Sequence, residues 1–144
     1  MKTVMQLLQG KSSQATYTIT PQATVLEAIS LMADKGIGAL IVAEGERMVG
    51  IVSERDYARK VVLMERSSYN TLVKDIMTSA VLAVTADETT VKCMGIMTEK
   101  RLRHLPVLDG DNIIGIVSIG DLVKEVITEQ QQIIEHLEQY IRGE

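Results

Sequence analysis

The sequence is short of aromatic residues and of cysteine. Its 144 residues include no Trp, no Phe, four Tyr, two Pro and a single Cys. Four aromatic rings are too few to line a groove for single-stranded nucleic acid, and the net charge of −4 argues against broad nucleic-acid binding. One cysteine allows no internal disulfide, and Cys93 lies in an apolar pattern typical of a buried core residue.

Long hydrophobic runs are also missing. No stretch approaches the ~20 apolar residues that a membrane helix needs, and the N-terminal segment is too interrupted by Gln for a secretory signal. We therefore expect a cytoplasmic protein that does not span a membrane. Cys93, His104 and His136 are scattered, without the spacing of a metal site or of a nucleophile with its base. We expect no enzyme activity and no required metal.

What the sequence does contain is an internal repeat. The stretch GIVSERD at residues 50–56 returns as GIVSIGD at residues 115–121, an offset of 65. The same offset holds without a gap from residues 20–61 to residues 85–126. A unit of some 60 residues has been duplicated.

Each unit has the pattern of a helix, two strands joined by a Gly-containing turn, and a second helix. In the first unit we predict a helix with Thr24 as N-cap, Glu27 three residues on and Gly36 at its end, then a second helix over 54–64. Since one such unit is marginal alone, the two are expected to pack about a pseudo-twofold axis with a cleft at the seam. This predicts an α+β fold of two units, each a small sheet packed with two helices, plus a C-terminal helix. The predicted boundaries are 1–68 for the first unit with an N-terminal helix, 69–128 for the second unit, and 129–144 for the C-terminal amphipathic helix.

The C-terminal segment carries an apolar stripe of roughly helical period. Both units look complete without it, so the stripe predicts contact with a second copy, and a fold back onto its own core is the alternative. The stripe comprises Ile127, Ile133, Ile134, Leu137, Tyr140 and Ile141.

The repeated motif Gly-Ile-Val-Ser-x-x-Asp has a structural and a functional interpretation. Structurally, Ser53 caps the following helix, and Asp56 at its third position faces the positive helix end. Functionally, the same helix start offers N–H groups and a hydroxyl to an anion, while the carboxylate can accept both hydroxyls of a ribose. Arg103 and His104 adjoin an apolar strand, which adds weight to nucleotide binding.

The order of elements, the paired GIVS..D motifs, VKDIMT between the units and RLRHLPVLD together resemble a stand-alone tandem pair of CBS domains, or Bateman module. The resemblance covers about residues 16–128. In that family the Asp of each motif binds ribose hydroxyls, the preceding Ser or Thr helps hold ribose or phosphate, and adenine lies between apolar side chains. The resemblance implies a regulatory sensor whose ligand is AMP, ADP, ATP or NAD and which acts through its homodimer or a regulated protein partner.

Carried onto this chain, the resemblance implies two sites, each combining both units. The first nucleotide-binding site comprises Ile51, Ser53, Arg55, Asp56, Ala80, Leu82, Leu102, Arg103 and His104. The second nucleotide site comprises Tyr17, Ile37, Gly38, Ala39, Ile116, Ser118 and Asp121. The first site contains arginines that can bind phosphates, whereas Gly and Ala occupy the matching positions of the second site. This difference predicts weaker binding of a charged ligand at the second site.

Two alternatives stay open at this point. The chain could be a non-catalytic interaction or dimerisation module without a nucleotide ligand, in which the aspartates only cap helices. The ligand could also be S-adenosylmethionine, which is disfavoured because its sulfonium is cationic and the first site is lined with Arg.

Overall fold

The computed structural model describes residues 2–10 and 16–143. Its helices are α1 (Val4–Gln9), α2 (Val25–Lys35), α3 (Glu54–Tyr57), α4 (Val73–Ile76), α5 (Thr90–Lys100) and α6 (Ile119–Arg142), with a π-helical turn over Ala58–Val62. Its strands are β1 (Thr18–Ile19), β2 (Ala39–Glu44), β3 (Arg47–Ser53), β4 (His104–Asp109) and β5 (Asn112–Ser118). The strands form one sheet in the order β1-β2-β3-β5-β4.

Local signals set the ends of the elements. The Thr24 hydroxyl accepts a hydrogen bond from the Glu27 N–H at 3.2 Å, and the Glu27 carboxylate accepts one from the Thr24 N–H at 3.2 Å. Gly36 then ends α2 in the left-handed region, with φ of 66°. Gly45 and Gly110, with φ of 63° and 62°, close the β2–β3 and β4–β5 hairpins. These predicted caps and turns are confirmed.

The sheet consists of two similar halves. Hairpin β2–β3 and hairpin β4–β5 are both antiparallel, and they meet where Arg47 of β3 pairs with Asn112 of β5. The parallel pairing of Ile19 with Val42 recurs in the second half as a parallel bridge 65 residues later. The predicted α+β fold of two related units is confirmed.

Each half has its own hydrophobic core. The core of the first half is built from Val25, Ala28, Met32, Leu40, Val42, Val52, Val61, Val73 and Ile76. The core of the second half is built from Val4, Leu7, Val84, Cys93, Met97, Leu105, Val107, Val117 and Leu122. Cys93 is fully buried there, as its apolar surroundings in the sequence predict.

Two short helices, α1 and α4, each pack on the half opposite to the one that the predicted boundaries give them. Helix α1 places Val4 and Leu7 in the core of the second half, while α4, which follows the first repeat in sequence, places Val73 and Ile76 in the core of the first half. The Val4 N–H also donates to the Glu88 carbonyl at 2.8 Å. The sequence division into 1–68 and 69–128 stays a prediction. In space, the N-terminal helix lies on the second half.

Two helices differ in length from the sequence prediction. Helix α6 runs for 24 residues without a break, so residues 129–142 continue the last helix of the second half. Conversely, the helix predicted over 54–64 changes to a π-helical turn after Tyr57. The wider turn places Val61 in the first core and leaves Val62 55% exposed. Within the described ranges, no helix combines the length and the apolar composition of a membrane span.

Candidate functional site

A cavity of about 440 Å³ lies between the two halves, within the size range of small-molecule sites. The ends of β2 and β3 and the start of α3 supply its first-half wall, and residues 78–82 and 101–104 supply the rest. All nine residues of the first predicted site line this one cavity: Ile51, Ser53, Arg55, Asp56, Ala80, Leu82, Leu102, Arg103 and His104. The sequence analysis did not include Glu54, Thr78, Val81 and Arg101, which also line it.

Ser53 and Asp56 form the helix cap at the floor of the cavity. The Ser53 hydroxyl accepts from the Asp56 N–H at 3.1 Å, and Asp56 Oδ2 accepts from the Ser53 N–H at 2.9 Å. Lys60 Nζ lies 3.1 Å from the other oxygen, Oδ1. The predicted helix cap of Ser53 and Asp56 is therefore confirmed. Asp56 Oδ2 also accepts from the Ser53 hydroxyl at 3.1 Å, so about one of the roughly four acceptor sites of this carboxylate remains for a hydroxyl of a ligand.

An apolar slot stands beside the cap. Ile51 exchanges two backbone hydrogen bonds with Thr78, of 3.0 and 2.9 Å, which ties residues 78–82 to the edge of β3. Leu82 then stands at the cavity with 46% of its surface exposed, and Leu102 faces the same space. Three aliphatic side chains around one opening can hold the faces of a planar base.

Positive charge is concentrated at the cavity. Arg55, Arg101 and Arg103 line it against two carboxylates, Glu54 and Asp56, whereas the whole chain has a net charge of −4. Within residues 2–10 and 16–143, none of the three guanidinium groups forms an ion pair. The cavity is thus suited to an anionic ligand.

Glycine at position 38 makes room where the two halves meet. A Cβ there would lie 3.3 Å from the Glu54 carboxylate and 3.7 Å from the His104 ring. The first contact is tighter than side chains usually make. Because Gly38 has no side chain, the Glu54 carboxylate and the His104 ring can both lie close to its backbone.

The residues of the second predicted site lie in different surroundings. Gly38 and Ala39 line the cavity of the first site. Tyr17, Ile37 and the core of the first half pack together, and Lys35 Nζ lies 5.3 Å from the Tyr17 ring centroid. Ile116 pairs with Pro106 in the sheet. Ser118 caps α6 through Asp121, and Asp121 lines a smaller pocket of about 200 Å³ beside α1.

Arg101 had a signal in the sequence that the repeat makes visible. The residue 65 positions earlier is Gly36, the glycine that ends α2. An arginine at a helix end where the other copy uses glycine is a departure from the repeat. Glu54 had no comparable signal, because acidic residues are common in the first turn of any helix.

The sequence profile of the CBS domain matches residues 13–63 and 73–128, about three quarters of the chain. The chain therefore belongs to the CBS domain family and carries a tandem pair of these domains. It is 38% identical over 141 residues to the CBS domain-containing protein CBSX3, mitochondrial, of Arabidopsis thaliana, a match that covers 94% of this chain and 68% of that protein.

Solved structures show the same fold. A protein with CBS domains from Burkholderia ambifaria MC40-6 is 56% identical, with a TM-score of 0.85 over 90% of this chain and 96% of the other. The CBS domain pair of protein MJ0100, solved in complex with 5′-methylthioadenosine and S-adenosyl-L-methionine, has a TM-score of 0.79. It is 22% identical, covering 90% of this chain and 98% of that one, which shows the shared fold alone.

Proposed function

We propose that this CBS pair is a non-catalytic regulatory sensor that binds an adenine nucleotide, such as AMP, ADP, ATP or NAD, in the cavity between its halves. Binding changes the arrangement of its own dimer or the activity of a partner protein. The observation that carries the proposal is that nine residues chosen from distant parts of the sequence line one cavity. No metal is needed for this function, and the lone buried thiol of Cys93 is compatible with the reducing cytoplasm.

The chemistry of the cavity matches the three parts of a nucleotide. The slot formed by Ile51, Leu82 and Leu102 suits the base, the carboxylate of Asp56 suits the ribose hydroxyls, and the arginines suit phosphates. The pair from protein MJ0100 holds two adenosine derivatives, which supports adenosine as the common element. S-adenosylmethionine remains the less favoured ligand here, since three arginines would face its positive sulfonium.

Calorimetric titration with AMP, ADP, ATP, NAD and S-adenosylmethionine tests the proposal. Asp56→Ala should weaken binding of the preferred nucleotide by about 1.5–3 kcal/mol, or about 10- to 150-fold in Kd, because a charge-assisted hydrogen bond to the ribose is lost. Asp121→Ala, which removes the same type of helix cap in the other half, should change the Kd much less, because the second predicted site lacks the arginines of the first and is expected to bind a charged ligand weakly. Equal affinity of wild type and Asp56→Ala would leave Asp56 as a cap only.

A second role, dimerisation through α6, is favoured by its exposed apolar face. From Ile133 to Ile141 the stripe residues are 48% to 81% exposed. Their spacing is that of a heptad repeat, the pattern by which two helices pair. The a and d positions of that repeat are Val123, Ile127, Gln130, Ile134, Leu137 and Ile141.

We propose that two copies pair through α6 in antiparallel orientation. In an antiparallel pair whose a and d positions pack together, the e positions of the two helices lie side by side. Lys124 and Glu138 are both e positions, so Lys124 lies close to Glu138 of the partner subunit on both sides of the twofold axis. Parallel pairing gives no such match, because the g positions that would face Lys124 and Glu138 are Ile119 and Ile133, both apolar. Among residues 2–10 and 16–143, Glu138 pairs only with Arg142, in an exposed contact of 3.6 Å that is worth little.

Analytical ultracentrifugation tests the pairing. Deletion of residues 130–144 should lower the sedimenting mass, and Glu138→Lys should raise the dimer Kd about tenfold by turning two attractions into repulsions. Adding Lys124→Glu to Glu138→Lys should restore the dimer. A truncated protein that stays dimeric would place the interface on the helical faces of the two halves instead.

A further inference from the structure

Arg101 has a backbone conformation that its residue type disfavours. It ends α5 with φ of 56° and ψ of 43°, in the left-handed region. Gly36 ends α2 in the same way, with φ of 66° and ψ of 37°. The next residue closes both ends alike: the Leu102 N–H donates to Met97 at 2.9 Å, and its counterpart in the first half makes the equivalent bond at 3.0 Å. The fold therefore requires a left-handed residue at both places, and glycine meets that requirement without strain.

The arginine side chain does not compensate for this strain within the protein. Arg101 is exposed and, among the described residues, forms no ion pair. Its hydrogen bond to Met97 uses the backbone N–H, which any residue except proline supplies. A strained residue that contributes nothing visible to the fold points to a role toward a ligand.

The location supplies that role. Arg101 lines the cavity together with Arg55 and Arg103, so three guanidinium groups from two halves surround one opening. Each guanidinium offers several N–H donors in a planar fork that fits phosphate oxygens. A fourth basic candidate, His104, lines the same wall.

We propose that Arg101 binds the 5′-phosphate of the nucleotide, and that its left-handed conformation is retained for this contact at the expense of stability. The inference rests on the proposed nucleotide function and adds a residue to it. It also gives a reason for the unequal helix ends: the half that aims a side chain at the cavity has Arg, and the other has Gly.

The experiment compares AMP with adenosine, which lacks the phosphate. Arg101→Gly should raise the Kd for AMP at least tenfold and leave the Kd for adenosine within twofold of wild type. In the absence of ligand, the same variant should melt about 2–4 °C higher, because glycine relieves the left-handed strain. Glu65→Gly is the matched control. Glu65 also has φ of 56° but does not line the cavity, so this variant should melt higher and bind AMP unchanged.

The outcomes separate this inference from the function on which it rests. Unchanged AMP binding by Arg101→Gly would overturn the role of Arg101 while leaving the nucleotide site in place. Equal loss of AMP and adenosine would mean that Arg101 only shapes the loop. A wild type that binds neither compound would overturn the proposed function and the inference together. If Arg101→Gly does not fold, Arg101→Asn, which tolerates the left-handed region, serves the same comparison.

Discussion

The two halves share the Ser-x-x-Asp helix cap but give its neighbourhood opposite charge. In the first half, Lys60 lies one turn after Asp56 with its ammonium 3.1 Å from the carboxylate. Sixty-five residues later the matching residue is Glu125, whose carboxylate lies 3.1 Å from the ammonium of Lys2. The cap is retained in both halves because each helix needs one. The residue beside the cap differs: Lys60 also donates to the Ile76 carbonyl at 2.8 Å within the first half, whereas Glu125 pairs with Lys2, which precedes α1.

The repeated glycine of the motif makes the same kind of contact in both halves. A Cβ on Gly50 would lie 2.8 Å from Met77 Sδ and 2.9 Å from the Thr78 carbonyl oxygen. A Cβ on Gly115 would lie 3.1 Å from the Leu8 side chain. Met77 follows α4, and Leu8 belongs to α1. The lack of a side chain at Gly50 therefore lets the residues after α4 pack closely against β3, and the lack of one at Gly115 lets α1 pack closely against β5. The motif thus combines a packing glycine with a helix cap.

The largest expected difference between the halves concerns ligand-induced stability. A nucleotide at a hundredfold excess over its Kd should stabilise the protein by about 2.7 kcal/mol, and so raise the melting temperature by about 5–10 °C. Arg103→Ala should remove most of the rise caused by AMP or NAD, because the arginines that we propose for phosphate binding line the cavity on the Asp56 side. Asp121→Ala should preserve it. Differential scanning fluorimetry with and without nucleotide measures both, and the reverse ranking would contradict the Asp56 cavity as the principal site.

The comparison also shows what the sequence could predict. The hairpins and their turns follow from the repeat at offset 65, because local caps and alternating apolar residues specify them, whereas the nine cavity residues are implied only by the resemblance to the CBS family. The packing of α1 on the second half and of α4 on the first half does not follow from the repeat. The two helices have 6 and 4 residues, too few to be stable without tertiary contacts. Their equivalent backbone bonds start at Val4 and Val73, an offset of 69, so the repeat at 65 misses them. The left-handed conformation of Arg101 is signalled only by its alignment with Gly36 at offset 65, because composition does not reveal a backbone property.

Substitution of the two motif glycines tests the packing comparison. Gly50→Ala should destabilise the fold by about 1–3 kcal/mol, because the new methyl group meets a backbone oxygen that cannot move alone. Gly115→Ala should cost less, since the atoms it meets belong to the flexible end of Leu8. Urea unfolding of both variants gives the two free energies. If Gly115→Ala proved the more damaging variant, the approach of α1 to the sheet would be the tighter of the two.

The ion pair between Lys2 and Glu125 tests whether α1 is held by charge as well as by its apolar residues. The Glu125 side chain is only 10% exposed, whereas that of Lys2 is 46% exposed. Lys2→Ala should therefore cost about 1 kcal/mol, since a largely buried carboxylate loses its cation while remaining partly hydrated. Glu125→Gln should reduce the cost of Lys2→Ala to nearly zero, which a double-mutant cycle by urea unfolding measures. Additive costs would show that the two side chains act independently.

The smallest expected effect on stability concerns Cys93, the buried thiol in the core of the second half. Cys93 occupies the place that Ala28 holds in the first half. Burial, and secondly the nearby charge of Glu88, raise the pKa of the Cys93 thiol above its ordinary value of 9.0. The neutral thiol is favoured in the folded state, so its contribution to stability is complete below pH 9 and is lost as the pH rises through the folded pKa. The difference in unfolding free energy between wild type and Cys93→Ala should therefore shrink above pH 9. Urea unfolding of both proteins at pH 7, 9 and 10 isolates the thiol as a difference, because the two proteins share every other ionisable group, and a difference that stays constant with pH would contradict the raised pKa.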